Sequence, residues 1–110
     1  MDYALCDRVV TLYRNTPGGI SRQVVKRAWL FTEMGFVGKD REPVRKFLLI
    51  IPGEETALFP GDRVYDGIGP QITAEQWSRF IPALVDGLGQ IQYVKPYFGQ
   101  GFLSHTEAGR

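Results

Sequence analysis

The sequence is short of the residues that build most metal and redox sites. It has one cysteine, Cys6, and one histidine, His105, among its 110 residues. A single cysteine excludes an internal disulfide and a thiolate metal cluster, and a single histidine excludes a histidine-based metal site. One free cysteine is typical of a reducing compartment, or of a small buried apolar side chain. We therefore predict no metal site and no cofactor.

The chain also lacks a charge excess and a long apolar segment. Lysine and arginine total 13 and aspartate and glutamate 12, a formal net charge of +1. Domains that grip nucleic acid usually carry a clustered basic excess. The longest apolar run is far below the ~18 residues that cross a bilayer, and the first residues have no signal-peptide core. We expect a protein made in the cytosol, with no membrane contact and no sequence-specific DNA binding.

Catalytic patterns are missing as well. Ser104 and His105 are adjacent, so a strand would place their side chains on opposite faces. The acidic residues are scattered through predicted turns and strand ends. The glycines at 67–70 lack the following Lys-Ser/Thr of a phosphate-binding loop. We predict that the protein is not an enzyme and has no catalytic residues.

The residues that are abundant favour turns and short strands. Glycine (13) and proline (7) occur without a repeat period, and 44% of the residues are apolar, enough for one modest core. We predict a single domain over residues 1–110 that is mainly β, a small six-stranded β-barrel or sandwich with one short helix. The helix is expected near 74–80, opened by a capping box of Thr73 and Gln76. The predicted strands are 8–14, 22–31, 44–51, 63–68, 90–98 and 102–106.

The segment 44–69 organises these predictions. Its apolar run, Phe47 to Ile51, ends at Pro52-Gly53 and is typical of a strand buried on both faces. After the turn at 59–62, strand 63–68 is expected to pair antiparallel with it. The predicted core includes Trp29, Leu49 and Ile51.

The remaining strands are placed by their turns and prolines. The turn at 15–19 predicts a hairpin of the first two strands. Pro96 places strand 90–98 at a sheet edge or bulge, because proline cannot donate to a ladder. The tail 107–110 is expected to be frayed or held by a partner.

Residues 32–43 are polar, contain two glycines and end in proline, and we predict an exposed loop or a ragged hairpin tip. Paired apolar residues at a loop tip favour contact with a partner, because they cost solubility unless covered. The loop charges are candidates for ion pairs between subunits, although solvated charges explain them equally well. The candidate interface residues are Phe36, Val37, Lys39, Asp40, Arg41 and Glu42.

The layout of the chain resembles a known family. An early strand ends in V-T-L-Y at Tyr13, a later strand carries Trp29, and an apolar strand ends in Ile51-Pro52. A P-G-D-x-V-x-x-G turn and strand follows at 60–67, and a final hairpin has Val94, Gly101 and His105 at its landmarks. This order resembles the head-closure (stopper), head–tail connector and minor capsid proteins of long-tailed bacteriophages and prophages. The resemblance runs over most of residues 7–105 and does not include the segment that contains Trp77.

The resemblance implies a compact β-barrel in the virion, at the head–tail junction. Stoppers assemble as homo-oligomeric rings below the portal and adaptor, close the DNA channel and dock the tail-side protein. Packaged DNA passes through without sequence-specific binding. Ring assembly repeats one heterologous contact, so each copy needs two different complementary patches.

Two alternatives remain open. One is a tail-terminator or another minor capsid or tail protein. The other is a small-barrel protein that binds single-stranded nucleic acid. For that protein, the candidate stacking residues are Trp29, Tyr93, Tyr97 and Phe98. The near-zero net charge argues against the second alternative.

Overall fold

The chain is mainly β in the computed structural model, which describes residues 7–37, 42–53, 57–97 and 105–110. Within those residues there are seven strands in one antiparallel sheet, in the order β5-β4-β1-β2-β3-β7-β6, and a short 3-10 helix. The elements are β1 (Arg8–Thr16), β2 (Gly19–Val37), β3 (Glu42–Pro52), β4 (Arg63–Asp66), the 3-10 helix (Ala74–Arg79), β5 (Leu88–Gln90), β6 (Tyr93–Tyr97) and β7 (His105–Gly109).

The predicted β class is therefore confirmed, whereas the predicted barrel is not. The described strands form one sheet whose order ends at β5 on one side and β6 on the other. That sheet does not close into a barrel.

The first hairpin is confirmed, and it is tighter than the sequence indicated. Thr16 of β1 pairs with Gly19 of β2, which leaves only Pro17 and Gly18 between the strands. Gly19 has a φ of +126°, a backbone conformation that glycine adopts without a steric penalty. The turn thus fixes the register of the β1–β2 ladder.

β2 is the strand that joins the two halves of the sheet. Its 19 residues pair with β1 as far as Ala28 and with β3 from Trp29 onward. The strand thereby passes from one half of the sheet to the other, and both halves contribute side chains to one core. That core consists of Val10, Leu12, Ala28, Leu30, Phe47, Leu49, Ile51, Leu58, Val64, Ile91 and Ala108.

β3 confirms part of the predicted core and corrects the rest. Leu49 and Ile51 are buried, as predicted. Leu48 and Ile50, on the opposite face of the strand, are only half-buried, so the prediction of burial on both faces is wrong. Trp29, which pairs with Ile50 on that same face, is also half-buried and not part of the core.

The predicted pairing between β3 and strand 63–68 is also wrong. β4 pairs with β1 and β5, whereas β7 pairs with the edge of β3 that lies opposite β2. The predicted frayed tail is instead the end of β7, which lies between β3 and β6 and fully buries Ala108. Residues 102–104 of the predicted last strand lie outside the described residues.

The predicted strand 90–98 is divided between two strands. β5 and β6 are separated by Ile91 and Gln92, and Phe98 lies outside the described residues. β6 is an edge strand, as Pro96 predicts.

A second cluster covers the other face of β1. Tyr13 packs edge-on against Phe80, with ring centroids 4.6 Å apart, and both lie beside Leu88. The short helix is confirmed as a 3-10 helix, and the amide of Thr73 donates to Oε1 of Gln76 at 3.0 Å, as the capping box requires.

Arg63 holds this helix against the sheet. Its Nη1 donates to the carbonyl oxygens of Trp77, at 2.6 Å, and Phe80, at 2.7 Å. The guanidinium carbon lies 3.6 Å from the centre of the Trp77 ring. Burial lowers the pKa of Arg63. Arg63 thus fixes the end of the helix against β4, because its guanidinium donates to carbonyl oxygens there.

Leu49→Ala tests the core. Leu49 is fully buried, and truncation leaves a cavity, so we expect a loss of roughly 2–5 kcal/mol in the free energy of unfolding. The matched control is Leu84→Ala, because the Leu84 side chain is 67% exposed, and it should cost less than about 0.5 kcal/mol. Urea unfolding followed by circular dichroism measures both. Equal losses in the two variants would contradict the described core.

Candidate interaction surface

The face of the sheet opposite the core is rich in apolar and aromatic side chains. Along β3, buried Phe47, Leu49 and Ile51 alternate with the more open Leu48 and Ile50. Because paired residues of neighbouring strands share a face, the register extends this alternation across four strands. We call this surface the outer face; it consists of Trp29, Phe31, Leu48, Ile50, Pro52, Tyr93, Lys95, Tyr97, His105, Glu107 and Gly109.

The outer face is arranged in rows that run across β2, β3, β7 and β6. The first row is Trp29, Ile50, Glu107 and Lys95. The second row is Phe31, Leu48, Gly109 and Tyr93. The third row, which starts at β3, is Pro52, His105 and Tyr97. Apolar residues therefore dominate the β2–β3 side, and polar or charged residues the β7–β6 side.

The apolar end of this face is Trp29, Phe31, Leu48 and Ile50. The rings of Trp29 and Phe31 are stacked, with centroids 6.0 Å apart and planes inclined by 8°. Phe31 nevertheless remains 53% exposed. A contiguous apolar patch of this kind, bordered by polar residues, is typical of a binding surface.

The β6 end carries aromatic rings beside charges. The Tyr97 ring stacks on His105, with centroids 4.8 Å apart, and the Lys95 ammonium lies 5.5 Å from the Tyr97 centroid. The Tyr93 hydroxyl donates to Oε1 of Glu107 at 3.3 Å. Tyr93 also covers Gly109, where an added Cβ would lie 3.1 Å from the tyrosine hydroxyl.

Burial and the Glu107 carboxylate together raise the pKa of Tyr93 above its ordinary value of 10.0, and Lys95 opposes them. The phenol therefore stays neutral and keeps donating its hydrogen bond throughout the physiological range. This end of the face presents rings, hydroxyls and a lysine, and so has the character of the polar rim of an interface.

Of the two alternatives predicted for 32–43, the exposed loop is wrong for most of its length, whereas the hairpin is confirmed in the described residues. Residues 32–37 belong to β2 and 42–43 to β3, and the two strands pair up to Val37 opposite Glu42. Phe36 pairs with Pro43, so these candidate interface positions lie in a ladder. The other candidates, Lys39, Asp40 and Arg41, lie outside the described residues.

The ladder beyond the core forms a two-stranded arm, which we define as residues 33–37 and 42–46. Its five residue pairs have no third strand beside them in the described part of the chain, because β7 pairs with β3 only from Leu48 onward. At the ordinary rise of a strand, the arm is about 17 Å long. Both the arm and the apolar end of the outer face belong to β2 and β3.

The structure brings together three of the four candidate stacking residues. Trp29, Tyr93 and Tyr97 all lie on the outer face, whereas Phe98 lies outside the described residues. Sequence reasoning did not single out Phe31, Leu48, Ile50, Lys95 or Glu107 as surface residues. The one available signal was the apolar run of β3, which is compatible either with burial on both faces or with an exposed apolar face.

A second surface feature is an open cleft of about 600 Å³ beside the 3-10 helix. Glu75 and Arg79, which line it, are exposed and lie in the helix itself. Among the described residues, no group of three histidine, cysteine, aspartate or glutamate side chains could hold a metal ion. In the same residues, no helix has the length and hydropathy needed to cross a membrane.

Comparison of the chain with protein-family models, with curated proteins and with solved structures finds no match.

Two substitutions test the polar end through the pKa of Tyr93. Glu107→Gln removes the negative charge and should lower that pKa, whereas Lys95→Gln removes the positive charge and should raise it. The measurement is a pH titration of the Tyr93 ring carbon signal by NMR. Opposite shifts in the two variants are expected; a tyrosine that titrates identically in both would contradict the described geometry.

Proposed function

We propose that this protein is a structural protein of a long-tailed phage or prophage, the head-closure (stopper) component of its head–tail connector. The observation that carries the proposal is the exposed apolar end of the outer face, next to an arm that has no third strand. Trp29 and Phe31 lie side by side on that face, and Phe31 is more than half exposed. Such a surface supports a role performed through protein contacts.

The sequence layout indicates which proteins would make those contacts. Its resemblance to connector proteins implies a homo-oligomeric ring, with a portal or adaptor protein above it and a tail-side protein below. In this role the ring closes the DNA channel and docks the tail. The small net charge of +1 suits a channel that lets DNA pass without holding it.

The proposed barrel has support in the path of the chain. Only Ile91 and Gln92 separate β5 and β6, the strands at the two ends of the sheet. The Ile91 amide donates to the Asp62 carbonyl at 2.8 Å, and the Gln92 amide donates to the Gly109 carbonyl at 2.8 Å. The chain thus links the two ends of the sheet directly, and we propose that this link completes a small barrel like that of the stoppers.

Removal of the gene from the encoding phage or prophage tests the function. We expect filled heads without tails that lose their DNA, because an open connector cannot retain the pressurised genome. Electron microscopy of the particles and nuclease sensitivity of their DNA are the two measurements. Labelled protein should lie at the vertex that joins head and tail. Normal tailed particles without the gene product would overturn the head-closure assignment, and so would label that stays with tails separated from heads. The second result would favour a tail terminator.

A second candidate function is binding of single-stranded nucleic acid. The observation in its favour is that Trp29, Tyr93 and Tyr97 share one face with Lys95, an arrangement that can stack bases and contact phosphates. Against it, Leu48 and Ile50 occupy the middle of that face. Fluorescence titration of an oligonucleotide at low salt tests it. A steep fall in affinity as salt rises, lost in Lys95→Gln, would favour this function over the connector.

A further inference from the structure

We propose that the arm of one copy packs on the apolar end of the outer face of the next copy, in a head-to-tail contact. This inference rests on the proposed ring and specifies the two patches that such a ring repeats. A closed ring of more than two copies uses a heterologous contact, in which two different surfaces of the chain meet. The arm and the apolar end are two such surfaces.

The arm needs a packing partner. A two-stranded hairpin is at best marginally stable in water, and it gains independent stability when a third strand or another surface covers it. Within the described residues, the five pairs between 33–37 and 42–46 have no such third strand. The arm continues the ladder of β2 and β3 along the strands, beyond the pairs that carry Trp29 and Phe31.

The apolar end has the opposite requirement, because it is a supported surface without a cover. Trp29 and Phe31 are held by pairing with Ile50 and Leu48 on the core strand β3. Phe31 is 53% exposed, and covering it would remove apolar area from water. A neighbouring arm can cover this end and leave Lys95 and Glu107 in solvent at the rim.

Pairing of two whole outer faces is a poorer solution. In a symmetric face-to-face pair with aligned rows, β3 of one copy lies over β7 of the other. Glu107 of one copy then lies over Ile50 of the other. Burying a carboxylate against an apolar side chain is unfavourable unless it is paired. By strand spacing and rise, the face of four strands also covers only roughly 300 Å², below the ~800 Å² per partner of a standard stable interface. The contact of one arm with the apolar end is smaller than a standard interface as well, so a single contact forms only at high protein concentration, and ring closure adds the remaining stability.

The test uses two variants, each with one defective surface. Phe31→Glu places a negative charge in the apolar end of the outer face and leaves the arm unchanged. In the second variant an Asn-Gly turn replaces residues 35–44, which shortens the arm and keeps the pair Met34–Arg45. Leu84→Glu, at a side chain that is 67% exposed on a different surface, is the matched control. Circular dichroism and thermal unfolding verify that every variant is folded.

Sedimentation analysis over a range of concentrations measures assembly. Wild type and Leu84→Glu should form assemblies larger than a dimer as concentration rises, whereas each defective variant alone should stay monomeric. A 1:1 mixture of the two defective variants should form a dimer and nothing larger, because only one intact contact is available to each pair. Mass spectrometry under native conditions should show one copy of each variant in that dimer.

Three results would overturn the proposal. A mixture that stays monomeric indicates a symmetric contact, or one that does not involve both surfaces. Normal assembly of the arm variant excludes the arm, and a wild type that is monomeric at every concentration excludes the contact altogether. These outcomes are separate from head closure. If the protein forms a ring by this contact but is missing from the head–tail vertex, only the proposed function is contradicted. If it lies at the vertex but fails the mixing test, only the proposed contact is contradicted.

Discussion

Backbone pairing along β2 is the constraint on which the rest of the structure depends. This one strand holds β1 with its first residues and β3 with its later ones, changing partner between Ala28 and Trp29. Because of that change, Val10 and Leu49, which belong to different halves of the sheet, share one core. The same strand continues past the core into the arm, so the core, the outer face and the arm all depend on a single register.

Local signals in the sequence predicted the β class, the first hairpin, the short helix and the edge position of Pro96. Each of these depends on a few neighbouring residues, such as the turn after Thr16 or the pair Thr73 and Gln76. The partners of β3 could not be predicted, because pairing with β7 joins residues far apart in the chain. The alternative of an exposed loop at 32–43 is wrong for a related reason. Its polar residues and glycines indicate a turn, yet continuous pairing with β3 keeps residues 32–37 extended.

The outer face could not be predicted from the sequence, because the apolar run of β3 has two interpretations. Five apolar residues in succession are compatible with burial on both faces, and alternation cannot show which residues remain open. Only the register shows that Leu48 and Ile50 lie beside Phe31 and Trp29, on the face away from the core. An exposed apolar face and a doubly buried strand thus have the same local sequence, and the difference lies entirely in what the rest of the chain places over the strand.

The position of the arm and the face on one ribbon has a consequence for assembly. One residue pair, Thr32–Phe47, separates the arm from the Phe31–Leu48 pair, and the ladder is continuous from the apolar end into the arm. A partner that binds only the paired arm stabilises pairing by mass action, and the gain extends to the neighbouring pairs that carry Phe31 and Trp29. A copy held by its arm should therefore present a better ordered face to the next copy. In the ring that we propose, this coupling lets contacts that are individually weak reinforce one another, so that the isolated chain need not associate strongly in order to assemble.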